Sequence, residues 1–279
     1  MKVVRARSAG FCWGVRRAVD AAAAFARDAG GEAVWTDGPL IHNAREVARL
    51  AALGVRTCAD PGALPAGSRL LVRAHGIPPA RRAWLASLPL ELRDATCPKV
   101  TFIQRLCAQA AAEGRAVLVL GDPDHAEVAG LLGHAGPRGR VVTGPADVAA
   151  LPDPDAPVAL FSQSTQEPAL FEATAAAVRA RWPDAVVRNT VCDATRARQG
   201  ELASLAEACG AIVVVGSPES ANTQRLAALA ARLRPTVVVD RADALDPAAF
   251  AGVAAVGLTA GASTPDDLIA EVEARLASF

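Results

Sequence analysis

The chain has 279 residues, and its 29 Lys plus Arg are balanced by 29 Asp plus Glu. A formal charge of zero argues against a nucleic-acid binder, which normally shows a basic excess or stripe. A composition 52 % hydrophobic and 21 % charged excludes a disordered chain.

The length provides for one to three domains, and no apolar run reaches the roughly 18 residues of a membrane span. The opening MKVVRARSAG has basic residues but no apolar h-region, so no secretory signal is expected. The expected setting is the cytoplasm, where disulfides are rare. Ser8-Ala-Gly-Phe-Cys12 then precedes the helical stretch GVRRAVDAAAAFARDAG, and Leu40-Ile-His42-Asn43 precedes a second helical stretch. Cys58, in GVRTCAD, is expected at a strand end. Leu70–Arg73 reads as a buried strand running into Ala74-His75-Gly76. Asp94-Ala-Thr-Cys97 is followed by Pro98, a residue favoured in the first helical turn. In TFIQRLCAQAAAEG, the residues Phe102, Ile103, Leu106 and Ala110 share a face, and Gly114 is the expected C-cap.

Ala116–Leu120 is the next strand, and its loop carries His125 and Glu127. His134, in LLGHAGPRGR, is expected on the surface or in a turn. Val158–Phe161 runs into Ser162-Gln-Ser164-Thr165. Asn189-Thr-Val-Cys192 precedes a helix over 196–210, in which Leu202, Leu205, Ala206 and Cys209 form one stripe. The strand Ala211–Val215 leads to a loop with Ser220 and Asn222, Thr236–Val239 is another strand, and the last loop holds Ser263. Continuous β-branched runs suit parallel strands buried on both faces, so the fold class is α/β with mainly parallel sheets.

Six cysteines demand an explanation. Cys58, Cys107 and Cys209 read as packing residues. Cys12, Cys97 and Cys192 differ, because each stands where a loop gives way to a helix, at intervals of 85 and 95 residues. That spacing predicts three similar α/β units, 1–96, 97–191 and 192–279. A helix start favours a thiolate. Three such thiolates could bind zinc, hold an iron–sulfur cluster or supply a nucleophile. Widely spaced single cysteines suit a cluster better than the local pairs that zinc recruits.

The loops after the strands gather hydroxyls, amides and imidazoles, the composition of an anion site at the carboxyl ends of parallel strands. Neither GxxxxGK[ST] nor GxGxxG occurs, so the expected ligand is a small phosphorylated compound rather than a nucleotide. His42, His75 and His125 fall in such loops. Glu127, two residues from His125, is the best-placed carboxyl for proton transfer.

The blocks GFCWGVRRA, PLIHN, RAHG, DATCPKV, HAEVAG, VGSPESANTQRLAALA and TAGAST together resemble, in order and spacing, the LytB family of 4-hydroxy-3-methylbut-2-enyl diphosphate reductases. The resemblance implies three α/β units in a pseudo-threefold arrangement around a central [4Fe–4S] cluster. It implies Cys12, Cys97 and Cys192 as the cluster ligands and Glu127 as the catalytic acid. Ser164 is implied at the substrate hydroxyl, in the proton relay, where many members have Thr. His42, His75, His125, Ser220, Asn222 and Ser263 are implied to bind the diphosphate. At Ala221, many members have Ser, and this chain lacks that side-chain donor. The implied reaction is a two-electron, two-proton removal of the hydroxyl as water, giving isopentenyl and dimethylallyl diphosphate. The implied electron donor is ferredoxin or flavodoxin, with no nucleic-acid or membrane partner. An iron–sulfur dehydratase, or a zinc-binding α/β protein acting on another phosphorylated small molecule, is the alternative.

Overall fold

A computed structural model describes residues 1–279, in which strands and helices alternate along most of the chain. The first strand, β1 (Lys2–Arg5), leads to α1 (Trp13–Asp28). Next come β2 (Val34–Asp37), α2 (Ala44–Ala52), β3 (Val55–Cys58), β4 (Arg69–Val72), α3 (Pro79–Ser87) and β5 (Glu91–Asp94). The middle of the chain contains α4 (Pro98–Ala112), β6 (Ala116–Leu120), α5 (Ala126–Ala135), β7 (Arg140–Val142), α6 (Pro145–Ala150), β8 (Val158–Ser162), α7 (Pro168–Arg181) and β9 (Val186–Val187). The last third contains α8 (Asp193–Ala208), β10 (Ala211–Val215), α9 (Ala221–Ala231), β11 (Thr236–Val239), β12 (Ala255–Ala260) and α10 (Asp266–Ala277).

The strands form three four-stranded sheets, ordered β3-β2-β4-β5, β7-β6-β8-β9 and β11-β10-β12-β1. Every pairing is parallel. Numbered within its own sheet, each has the order second, first, third, fourth. The three similar parallel units expected from the cysteine spacing are therefore one topology used three times. In the third sheet the fourth place is taken from the other end of the chain. Lys2–Arg5 pairs with Ala255–Leu258, so β1 lies in the span 1–96 while its partners lie in 192–279.

By packing, the chain divides into two compact bodies: residues 1–16, 41–49 and 193–279 in one, and residues 17–40 and 50–192 in the other. In the first, the β10 run AIVVV is buried throughout. Val213 and Val215 face Leu268, Ile269 and Val272 of α10. Ile212 and Val214 face Leu202 and Leu205 of α8 and Leu226 of α9. In the second body, Val117 and Val119 of β6 meet Ile103, Leu106 and Cys107 of α4 and Val128 and Leu131 of α5. Leu118 and Leu120 face Phe171, Ala175 and Val178 of α7. A parallel sheet covered by helices on both faces requires these unbroken apolar runs, and each buried Val or Leu contributes about 1.5–3 kcal/mol.

Two local expectations are corrected. Phe102 lies beside the apolar stripe of α4 and is 45 % exposed, whereas Ile103, Leu106 and Ala110 are buried. His134 is neither turn nor loose surface: it lies inside α5, with its Nδ1 2.8 Å from the Gly130 carbonyl one turn back. Gly114 follows α4 with φ +77°, the left-handed conformation that a C-terminal stop requires.

Candidate active site

The expected site residues fall at three recurring places. The cysteines follow the fourth strand of each sheet and open the next helix: Cys12 after β1, Cys97 after β5, Cys192 after β9. Each donates its backbone N–H to the loop after the third strand of its sheet. The acceptors are the Ala262 carbonyl for Cys12 at 3.0 Å, Ala74 for Cys97 at 2.9 Å and Ser164 for Cys192 at 2.8 Å. The residue after each acceptor is Ser263, His75 or Thr165. The loop after the first strand supplies the third place, with Asn43, His125 and Ser220 at helix starts.

In the first body, the segment before Cys12 is tied to α8. Arg198, 2 % exposed, donates to the Ser8 and Gly10 carbonyls at 2.6 and 2.7 Å. Glu201 accepts from the Ser8 N–H and hydroxyl at 3.1 and 2.7 Å. The Cys12 thiol accepts the Val15 N–H at 3.4 Å. Asn43 caps α2 by accepting the Glu46 N–H at 2.9 Å, and the Ser263 hydroxyl donates to the His42 carbonyl at 3.1 Å. Ser220 caps α9, its Oγ accepting the Thr223 N–H at 3.3 Å.

Asn222, in the first turn of α9, is 7 % exposed, and its buried Nδ2 has no partner within the protein. The Thr223 hydroxyl is also buried and unpartnered. It sits where two loops close: a Cβ on Gly216 would come within 2.6 Å of it and one on Gly261 within 2.1 Å. The glycines let the loops bearing Ser220 and Ser263 approach the helix start together.

In the second body, an Asx turn precedes two of the cysteines. Asp94 accepts from the Thr96 N–H at 2.8 Å and its hydroxyl at 2.5 Å, while Asn189 accepts the Val191 N–H at 3.1 Å. His125 caps α5 through Nδ1, which accepts the Glu127 N–H at 3.1 Å. That bond leaves Nε2 as the nitrogen that carries hydrogen in the neutral ring. The His75 and His125 rings meet edge to face, centroids 5.5 Å apart.

Glu127 is 2 % exposed, and both of its oxygens are engaged by one residue. The Ser164 N–H donates to Oε1 at 2.6 Å and the Ser164 hydroxyl to Oε2 at 2.7 Å. Gln163, fully buried, holds the preceding loop by accepting the Asp122 N–H at 2.9 Å. Gln163, Arg198 and Thr223 are absent from the sequence expectations. No local pattern marks them, because the partners of Gln163 and Arg198 lie 41 and 190 residues away, and the surroundings of Thr223 are set by loops that close on it from Gly216 and Gly261.

The six thiols are all free. Burial pushes Cys107 up to about 12, and burial also raises Cys58 and Cys209. Cys12, Cys97 and Cys192 are only half-buried. This donor set fits a cluster: three accessible thiols at helix starts, each on a backbone fixed by the adjoining loop.

Parallel sheets of one repeated topology, with thiols, imidazoles, a buried carboxyl and open donors at their carboxyl ends, define an α/β protein equipped for metal-cluster and anion chemistry. The chain belongs to the LytB family, whose model, the LytB protein, matches residues 3–277. It is 42 % identical over 289 residues to the 4-hydroxy-3-methylbut-2-enyl diphosphate reductase of Opitutus terrae, covering 99 % of each chain. The reductase of the same name from Anaeromyxobacter sp. is 40 % identical over 271 residues, 95 % of this chain and 93 % of that one. Among solved structures, the E-1-hydroxy-2-methyl-but-2-enyl-4-diphosphate reductase of Plasmodium falciparum superposes with a TM-score of 0.92 at 25 % identity, covering 98 % of this chain and 87 % of that one. A second reductase structure, the terminal enzyme of the non-mevalonate pathway, matches over both full lengths with a TM-score of 0.72 at 34 % identity. No helix is long and apolar enough to cross a membrane.

Proposed function

We propose that this chain reduces 4-hydroxy-3-methylbut-2-enyl diphosphate to isopentenyl and dimethylallyl diphosphate, consuming two electrons and two protons and releasing the hydroxyl as water. Full-length similarity to reductases of that name supports the reading. The single structural observation that carries it is the buried Glu127 carboxyl held at both oxygens by Ser164.

Cys12, Cys97 and Cys192 would hold a [4Fe–4S] cluster, leaving one iron without a protein ligand. When bound, the cluster supplies low-potential electrons and a Lewis-acidic iron. The protein's residues supply the remainder. Glu127 holds the proton to be delivered, and the Ser164 hydroxyl links that carboxyl to the substrate oxygen. Ser164 keeps the hydroxyl of the family's usual Thr and lacks its methyl. Asn222 and Ser263 donate to the diphosphate, and His42, His75 and His125 add imidazole donors. Ser220 fixes the start of α9, whose free N–H groups favour an anion. An open, buried amide donor at Asn222 is what an anion site needs before its ligand arrives. Neutral donors hold the substrate without a Lys/Arg cluster, in keeping with a chain of zero net charge. Electrons come from ferredoxin or flavodoxin, and the setting is the cytoplasm.

The test is anaerobic purification with iron and acid-labile sulfide analysis, followed by turnover of the named substrate under a low-potential reductant. Iron, sulfide and both products are expected. Stoichiometric zinc without sulfide would overturn the reading.

A further inference from the structure

Arg73 follows β4 directly and opens the β-turn whose third residue is His75, the Gly76 N–H closing that turn on the Arg73 carbonyl at 3.1 Å. Its guanidinium lies over Gly38. A Cβ there would come 2.9 Å from Nη1, and φ +82° at Gly38 also selects glycine. The side chain is half-buried, its Nε is fully buried without a hydrogen-bond partner, and it makes no ion pair. The charges that reach it are Asp37 and Arg81. Asp37 is already occupied: its oxygens accept from Arg81 at 2.7 and 3.4 Å, and Arg81 also stacks on Trp84 at 4.3 Å. Two arginines thus share one carboxylate, and Arg73 is the cation left over.

A half-buried charge without a counter-ion costs stability unless something compensates it. The glycine leaves the half-buried guanidinium room that any larger residue would take. The fork of the guanidinium suits phosphate oxygens. We propose that Arg73 is a steering residue for the diphosphate: an unpaired cation beside the His75 loop that speeds capture of the polyanion without taking part in the chemistry. The proposal rests on the reductase reading for its substrate. Arg73 attracts a phosphate-bearing anion through a charge that no ion pair of its own neutralises.

Such attraction fades with ionic strength, because the screening length shrinks from about 20–30 Å at 0.01–0.02 M to a few ångströms near 1 M. In the cluster-loaded enzyme, Arg73→Met is expected to lower kcat/KM about 3–10-fold at low ionic strength. The loss should fall below about twofold at 0.5 M salt, with kcat unchanged and a melting temperature equal to or above that of the parent protein. Arg73→Lys should retain the salt-dependent advantage. A salt-independent loss with a lowered melting temperature would make Arg73 a structural residue and overturn the proposal, as would unchanged kcat/KM at low salt. A parallel arm measures inorganic pyrophosphate binding by calorimetry at low and high salt. It needs no turnover, so it judges Arg73 even if the parent protein fails to reduce the named substrate. Weaker binding by Arg73→Met at low salt alone supports the proposal; equal binding refutes it.

Discussion

The starts of α5 and α9 occupy the same place in their sheets, each after the first strand, yet they are finished in opposite ways. At α5 the polar groups are satisfied within the protein: His125 caps the helix and Glu127 accepts two hydrogen bonds from Ser164. At α9 the cap is made by Ser220, but the Asn222 amide and the Thr223 hydroxyl are buried with no partner. A buried donor left open costs stability, so its retention points to a ligand that completes it. One scaffold position thus yields a helix start with a satisfied acceptor and another with open donors. The difference comes from a few side chains, with the backbone topology held constant.

The contrast can be broken most directly at Glu127. Glu127→Gln should lower kcat by about 10²–10⁴ while leaving KM and the melting temperature close to those of the parent protein. The amide oxygen can keep the Ser164 N–H, and the Ser164 hydroxyl can rotate to accept from the new NH₂ group. Steady-state kinetics with the named substrate checks this. Asn222→Ala should act the other way, weakening diphosphate binding by about 1.5–3 kcal/mol with little loss of stability, because the removed donor has no partner in the free protein. Calorimetry with pyrophosphate reads it. If Glu127→Gln raised KM alone, or Asn222→Ala lowered kcat alone, the division of roles between the two helix starts would be wrong.

Smaller effects sharpen the packing side of the comparison. Gly261→Ala should destabilise by about 1–3 kcal/mol in chemical denaturation, because its Cβ would collide with the Thr223 hydroxyl. A Cβ on Gly144 would meet only Leu170, at 3.6 Å, which makes Gly144→Ala a control. The buried thiols give a pH signature. Cys107 is held up to about 12 by burial, above its ordinary 9.0, so the native state retains a proton that the unfolded chain releases. Its contribution is complete below pH 9 and is lost as pH rises towards 12, with a slope of up to about 1.4 kcal/mol per pH unit. Denaturation curves between pH 8 and 10.5 should show Cys107→Ala losing part of that slope. Last, Ser220→Ala should cost about 0.5–2 kcal/mol through the lost cap of α9, a loss readable by thermal melting.

Much of the scaffold was legible in the chain. The runs AVLVL and AIVVV suit strands covered on both faces, and Pro98 after Cys97 marks a helix start. Loop composition pointed to His125 and the resemblance to Ser220, and each proves to be a cap. Other features were not legible. Nothing near β1 shows that it completes a sheet whose other strands lie more than 200 residues away. The unpaired state of Arg73 depends on Arg81 taking Asp37, which no spacing rule encodes.

The sequence by itself determined the local conformations: period, caps, turns and the helix-start position of three of the six cysteines. These follow from interactions among neighbours in the chain. Only the tertiary structure decided which buried groups found partners. The Glu127 carboxyl is met by Ser164, 37 residues on, whereas the Asn222 amide is met by nothing. A hydrogen bond between distant segments exists only when packing brings donor and acceptor within about 3 Å. That condition separates the satisfied Glu127 carboxyl from the open Asn222 amide donor.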